Sequence, residues 1–154
     1  MAYAVYYLHD PGAPKPNRPT RLGVNVLLTW KGKLLLEYRR DSDQWGLIGG
    51  GVKDPEPETR AIAREVWEET GIRLPESAFR KLRVFDEPSR IAAFQDGTVR
   101  RMVCILYEAE LDREPVLRLS AESRQLRFFS TRELRTIPIA PTHLPMVALL
   151  ADQS

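Results

Sequence analysis

Three glutamates crowd one face of a single predicted helix near the middle of this chain: Glu65, Glu68 and Glu69. At about 100° per residue, steps of three and four residues return to the same side, so the carboxylates fall within an arc of roughly 100°. Like charges at these spacings repel and cost an isolated helix about a few tenths of a kcal/mol per pair. A helix that only had to fold would gain from a lysine in one of these places. Acidic clusters on helices are commonly solvated faces, and E-x-x-E-E alone implies nothing more. A divalent cation is the other remedy, and ligation by oxygen alone suits Mg²⁺ or Mn²⁺ rather than zinc.

The neighbouring residues favour that second remedy. Gly49, Gly50 and Gly51 make a loop whose backbone can come close to a ligand and adopt positive φ. Pro57 fits the first helical position, where its missing N–H costs nothing. Glu56 and Glu58 then lie at the positive end of the helix dipole. Ala61, Ile62 and Val66 form an apolar stripe opposite the acidic one. Arg64 is placed to pair with Glu68 one turn on, or to hold Glu56. Gly71 is the expected left-handed C-cap. Loop 49–56 and helix 57–70 read as one rigid unit with a metal-binding face.

From Gly50 to Ile72 the residues fit G-x5-E-x7-R-E-U-x-E-E-x-G-U, where U is a bulky apolar residue, and every specified position is filled. The segment resembles the box that defines the Nudix hydrolase family. Two neighbours depart from the usual pattern: Ile48 stands where proline is common, and Pro55 where glycine is common. The resemblance implies an α/β fold, an α/β/α sandwich with a mixed β-sheet between helices. It implies a Mg²⁺- or Mn²⁺-dependent enzyme that directs water at a phosphoanhydride. Glu68 and Glu69 would be the core metal ligands, and the backbone carbonyl of Gly49 would complete the coordination. Glu65 would be a further ligand or would orient water. Arg64, Glu56 and Gly50 would position the carboxylates. Relatives draw another glutamate from beyond the box, as ligand or general base. Glu122 is the candidate here, with a surface-loop carboxylate as its alternative.

Composition bounds the rest. A chain of 154 residues, 43% hydrophobic and 29% charged, is ordinary for one globular domain. A net charge of +2 argues for neither nucleic acid nor membrane as partner. Cys104 is the only cysteine, in the apolar run Val103–Leu106, and reads as a buried thiol in a reducing compartment, the cytoplasm. Residues 1–19 read as a short strand followed by a proline-rich arm, and 20–154 as the catalytic domain. Strands are expected at 21–30, 33–39, 79–85, 100–108 and 125–129, with a loop over 86–99. Ser130 and Glu133 look like a capping box. Pro141–Asp152 should be a terminal helix. The apolar strand on its arm could reach a second copy, so a homodimer is expected.

A diphosphate needs cationic donors, and the guanidinium grips phosphate in a bidentate manner. Arg39, Arg40, Arg90 and Arg101 are the candidates, each with a solvated surface role as alternative. Trp45, Phe85 and Phe94 are candidate platforms for a base, with Trp45 more readily assigned to packing. His9 and His143 have no partner at metal-ligand spacing and read as structural or exposed. Among relatives that cleave ADP-ribose, a proline often follows the box at the distance of Pro88. The resemblance therefore favours a nucleoside diphosphate linked to another group, with ADP-ribose or a nucleotide sugar preferred. The alternatives are a nucleoside triphosphate pyrophosphatase and a non-catalytic nucleotide-sensing domain.

Overall fold

Alternation along the central strands sets the layers. The structure, a computed structural model, describes residues 4–40, 42–121 and 123–151. Its order is β1 (Ala4–Tyr7), β2 (Arg21–Trp30), β3 (Lys33–Arg39), β4 (Trp45–Gly51), α1 (Glu58–Thr70), β5 (Arg80–Phe85), β6 (Ile91–Phe94), β7 (Val99–Leu111), β8 (Ser123–Phe129) and α2 (Leu144–Ala151). In the middle of β2, Gly23 to Leu28 are all buried, because a central strand is covered on both faces. Val24, Val26 and Leu28 point one way, with Leu35, Ile48, Ile105 and Tyr107, and pack under Ala61, Ile62 and Val66 of α1. Leu27, Leu34, Leu36, Leu47 and Leu106 point the other way and pack with Met146 and Val147 of α2. The sheet lies between helices as expected.

The sheet runs β1-β6-β7-β2-β4-β3-β8, with β5 also pairing β7. The β2–β7 pair is parallel, from Arg21 opposite Met102 to Trp30 opposite Leu111. Every other strand pair is antiparallel.

Four local expectations are corrected. Gly49, Gly50 and Gly51 are not loop: they end β4, paired with Asn25, Val24 and Gly23 of β2. The stretch 86–99 is not all loop: Ile91–Phe94 forms β6, held between β1 and the start of β7. An Ile-Ala-Ala-Phe tetrapeptide is too short to show a period, and the pairing is made by distant residues. The terminal helix begins at Leu144, after the chain turns at Ala140–His143. Pro57 is the N-cap, extended at φ −63° and ψ 149°, so α1 starts one residue later.

The capping box at Ser130 forms reciprocally: the Ser130 N–H donates to Glu133 Oε1 at 3.0 Å and the Glu133 N–H to Ser130 Oγ at 3.2 Å. It opens a short 3₁₀ turn over Glu133–Arg135. The proline-rich arm lies on the domain. The N–H groups of Asn17 and Arg18 donate to the Val99 carbonyl, and the Asn17 side chain bonds Gly97 and Val99. β1 itself pairs with β6 of its own chain, Ala4 opposite Phe94 and Tyr7 opposite Ile91.

Candidate active site

The glycine-rich end of β4 and α1 meet through side chains that a Cβ would displace. A Cβ on Gly49 would run into the Val24 carbonyl and Asn25, one on Gly50 into the Glu65 carboxylate, and one on Gly51 into the Arg21 guanidinium. The glycines leave the end of β4 bare, and the helix comes down on it. Gly71, at φ 77°, ends α1 with its N–H on the Trp67 carbonyl at 3.0 Å. Arg118 closes the same end, donating from Nη2 to the Trp67 carbonyl at 3.0 Å while its guanidinium lies 4.7 Å from the Trp67 ring.

Arg64 is the centre of the acidic face. Its Nε donates to Glu56 Oε2 at 2.7 Å and its Nη2 to Glu56 Oε1 at 3.0 Å, a bidentate pair. Nη1 reaches Glu65 Oε1 at 2.9 Å and Glu68 Oε2 at 3.1 Å, and Nη2 also meets the Gly51 carbonyl at 3.1 Å. Both alternatives for Arg64 are therefore realised at once. Its hydrogen bonds hold the Glu56 carboxyl down at about 2, and the same pairing raises the guanidinium pKa. The loop adds a bond from the Lys53 N–H to Glu56 Oε1 at 3.1 Å.

The three helix glutamates differ in setting. Glu69 is 5% exposed and accepts the Gly49 N–H on Oε2 at 3.2 Å. Burial, and then repulsion from Glu37 and Glu65, push its carboxyl well above the usual value. Glu65 is raised as well, by burial first, against the pull of Arg64. The Glu68 side chain is 48% exposed and open to solvent. Buried Glu69 and half-buried Glu65, both with raised pKa values, lie beside a bare backbone and make an oxygen-rich site that a dication would stabilise. Among the described residues, no three His, Cys, Asp or Glu side chains converge as a ready cage.

These groups line one end of a cavity of about 520 Å³. Its floor is the sheet face opposite α1, built from Arg21, Gly23 and Asn25 of β2, Gly49 and Gly51 of β4, and Met102 and Cys104 of β7. The far end is lined by Tyr6, Phe94, Arg90, Thr142 and His143. Of the four candidate arginines, the structure brings Arg39 and Arg90 to the cavity. Arg39 is paired with buried Glu37 at 2.8 Å, and Arg90 is fully buried. Arg40 is exposed and away from it, while Arg101 stands opposite Ile91 and donates to the Asp86 carbonyl. Strand registry sends these two elsewhere. Trp45 is core, edge-on to Phe129 at 4.7 Å. Phe85 is buried beside Arg90, and Phe94 alone of the three aromatic candidates lines the cavity. Glu122 lies outside the described residues.

Several lining residues carry no signal in the sequence. Tyr6 arrives on β1 and Arg21 at the start of β2, far from the box. His143 accepts the Leu47 N–H on Nδ1 at 3.0 Å and so combines a structural bond with a place on the cavity wall. Glu37 raises the pKa of Glu69 from a neighbouring strand and is itself held by Arg39 and Ser123. Only its place inside the apolar run Leu34–Tyr38 hints at burial. Burial pushes the Cys104 thiol up to about 11, so it is no nucleophile near neutral pH.

The family model for the NUDIX domain matches residues 19–150. A MutT-like protein of Streptomyces ambofaciens is 32% identical over 110 residues, 71% of this chain and 62% of that protein. Among solved structures, a bifunctional NMN adenylyltransferase/ADP ribose pyrophosphatase from Francisella tularensis, complexed with AMP and a Mn ion, matches with a TM-score of 0.70. The identity is 22%, over 90% of this chain and 43% of that one. The NUDIX domain of Shewanella oneidensis NrtR, complexed with ADP ribose, matches with a TM-score of 0.68 at 20% identity, over 94% of this chain and 92% of that one. The chain thus spans less than two thirds of the length of the first two proteins.

Proposed function

The chain belongs to the Nudix family, and from that membership and the geometry of its carboxylates we propose that it is a divalent-metal-dependent hydrolase of nucleoside diphosphate derivatives. It cleaves the P–O–P bond of a nucleoside diphosphate linked to another group, with ADP-ribose or a nucleotide sugar as the preferred class. The observation that carries this reading is the acidic face of α1, gathered on Arg64 over the bare end of β4 at the mouth of a cavity. The binding of AMP and of ADP ribose by the two structural neighbours supports the substrate class.

Glu68, Glu69 and the Gly49 carbonyl would hold Mg²⁺ or Mn²⁺, with Glu65 beside them. When bound, the cation would neutralise the diphosphate and lower the pKa of a water. Glu69 is buried and fixed by the Gly49 N–H, and Glu68 is half exposed and held by Arg64, so one carboxylate is anchored and the other has room to adjust. Arg64 holds Oε1 of Glu65, which places this carboxylate beside the proposed ligands, where it would orient the attacking water. Glu122 is kept as the alternative base. Arg39, Arg21 and Lys53 line the same cavity and supply positive charge for the phosphates. Hydrolysis yields a nucleoside monophosphate and the phosphate of the second group. The protein works in the cytoplasm as a homodimer, and loss of dimer mass on deleting residues 1–18, read by sedimentation, tests the part of the arm.

The test is a screen with Mg²⁺ and Mn²⁺ over ADP-ribose, nucleotide sugars, dinucleoside polyphosphates and nucleoside triphosphates, with phosphate products as readout. Turnover of the first two groups above the last is expected. Release of pyrophosphate from triphosphates at a higher kcat/KM would instead favour the triphosphate pyrophosphatase. No turnover of any compound, with tight binding of one, would favour a sensor.

A further inference from the structure

The last turn of α1 is acidic where a helix favours positive charge. Glu68 and Glu69 stand there, at the negative end of the helix dipole, and the turn holds no basic residue of its own. Its carbonyls have no acceptor role left inside the helix. The remedy comes from the connection between β7 and β8. Asp112, Arg113, Glu114 and Val116 of that connection are exposed. Leu117 then packs against the core beneath α1, and Arg118 docks on the helix end.

Arg118 holds the two carbonyls that bracket the acidic pair. Its backbone N–H donates to the Thr70 carbonyl at 2.8 Å, and its Nη2 to the Trp67 carbonyl at 3.0 Å. The guanidinium lies 4.7 Å from the Trp67 ring, and that of Arg73 lies 4.1 Å from the same ring. One indole thus brings two cations to the negative end of the helix. The fit is close, since a Cβ on Gly71 would come within 2.9 Å of Arg118 Cβ. Two residues past Arg118, Ser120 lines the cavity together with Glu68 and Glu69. Trp67 occupies a place that the glycine–glutamate motif leaves open, so this docking belongs to the present chain rather than to the motif.

We propose that Arg118 is a positioning residue for the metal-binding carboxylates: seated on Trp67, it fixes the last turn of α1 and the Ser120 wall of the cavity as one body. The proposal rests on the reading of Glu68 and Glu69 as ligands given above. Arg118 touches neither metal nor substrate in this role and acts through the backbone of the helix.

Mn²⁺ affinity of the full chain, read by electron paramagnetic resonance, decides the matter without turnover. Arg118→Ala should weaken Mn²⁺ binding by about tenfold, the scale of losing a group that supports a metal ligand. Trp67→Leu should weaken it as much, and the double variant no more than either single one, because ring and guanidinium act together. Arg118→Lys keeps the cation without the fork and should fall between. Arg113→Ala, an exposed arginine on the same connection, should bind as wild type does. Hydrogen exchange should quicken at 67–71 and 117–121 in Arg118→Ala and stay unchanged in the central strands. If Arg118→Ala melts well below wild type, Trp67→Leu and Arg118→Lys decide. Wild-type Mn²⁺ affinity in the variants of Arg118 and Trp67, or an equal loss in Arg113→Ala, overturns the proposal. Absence of Mn²⁺ binding by wild type would overturn the metal reading and the proposal with it. Tight Mn²⁺ binding that depends on Arg118, with no diphosphate hydrolysed, would instead overturn the enzymatic reading and leave the proposal standing.

Discussion

The two ends of the cavity are built by opposite strategies. At the acidic end, one stretch of chain supplies nearly everything: a glycine-rich strand end, a helix, and one arginine that ties four partners together. At the aromatic end, Tyr6, Phe94, Arg90 and His143 come from the first strand, the sixth strand, its approach and the turn before the last helix. Few bonds fix them. The first end is over-determined and suits a charged reaction that tolerates no misplacement. The second is assembled from distant segments that only the folded sheet brings together. Chemistry common to many substrates belongs in the first, and discrimination among substrates in the second.

The sharpest way to break this contrast is Glu68→Gln. Turnover should fall by about 10³-fold, roughly 4 kcal/mol of lost transition-state stabilisation, with circular dichroism unchanged because Glu68 is half exposed. Wild-type turnover on the best substrate would remove the acidic end from the reaction. Gly49→Ala should come next, destabilising the fold by about 3 kcal/mol in urea denaturation, since its Cβ has no space beside Val24 and Asn25. Arg64→Lys keeps a charge but not the fork, and should weaken Mn²⁺ binding, read by electron paramagnetic resonance, by about 10- to 100-fold. Phe94→Ala probes the other end: about a fivefold rise in KM with kcat within twofold, a loss of aromatic contact of about 1 kcal/mol. A collapse of kcat there would erase the division between the two ends.

The smallest effect is in the acid range. The carboxyl of Glu56 lies at about 2 against an ordinary 4.5, so its contribution to stability is present above 4.5 and fades as pH falls through 2. Glu56→Gln should flatten that part of the stability curve. Glu65 and Glu69 act in the opposite sense. Their pKa values are raised, so in chelator-treated protein their contribution is fully present below 4.5 and is lost as pH rises through the higher folded values.

The same contrast explains what the sequence disclosed. Local features were legible: the left-handed cap at Gly71, the capping box at Ser130 and Glu133, the pairing of Arg64, and the strands with strong alternation. Each depends on residues a few positions apart. The identity of the arginines at the cavity was half legible, because Arg39 and Arg40 differ only in which way a strand end turns. β6, Tyr6 and His143 were not legible as site elements, since only pairing across distant segments brings them there. Expectations about a base platform met the same limit, and Phe94 alone of three aromatics reached the wall.

The parallel pairing of β2 with β7 carries a consequence in time rather than in space. Arg21 and Met102 are partners across about half of the chain, and the seam between their two strands runs through the cavity floor. Joining them requires closure of a long loop before any contact rewards it. The α1 helix closes on bonds between near neighbours, while Gly49 and Gly51 join the floor only through their pairing with β2. A chain whose β7 is not yet paired with β2 therefore lacks one side of the floor on which its substrate would rest.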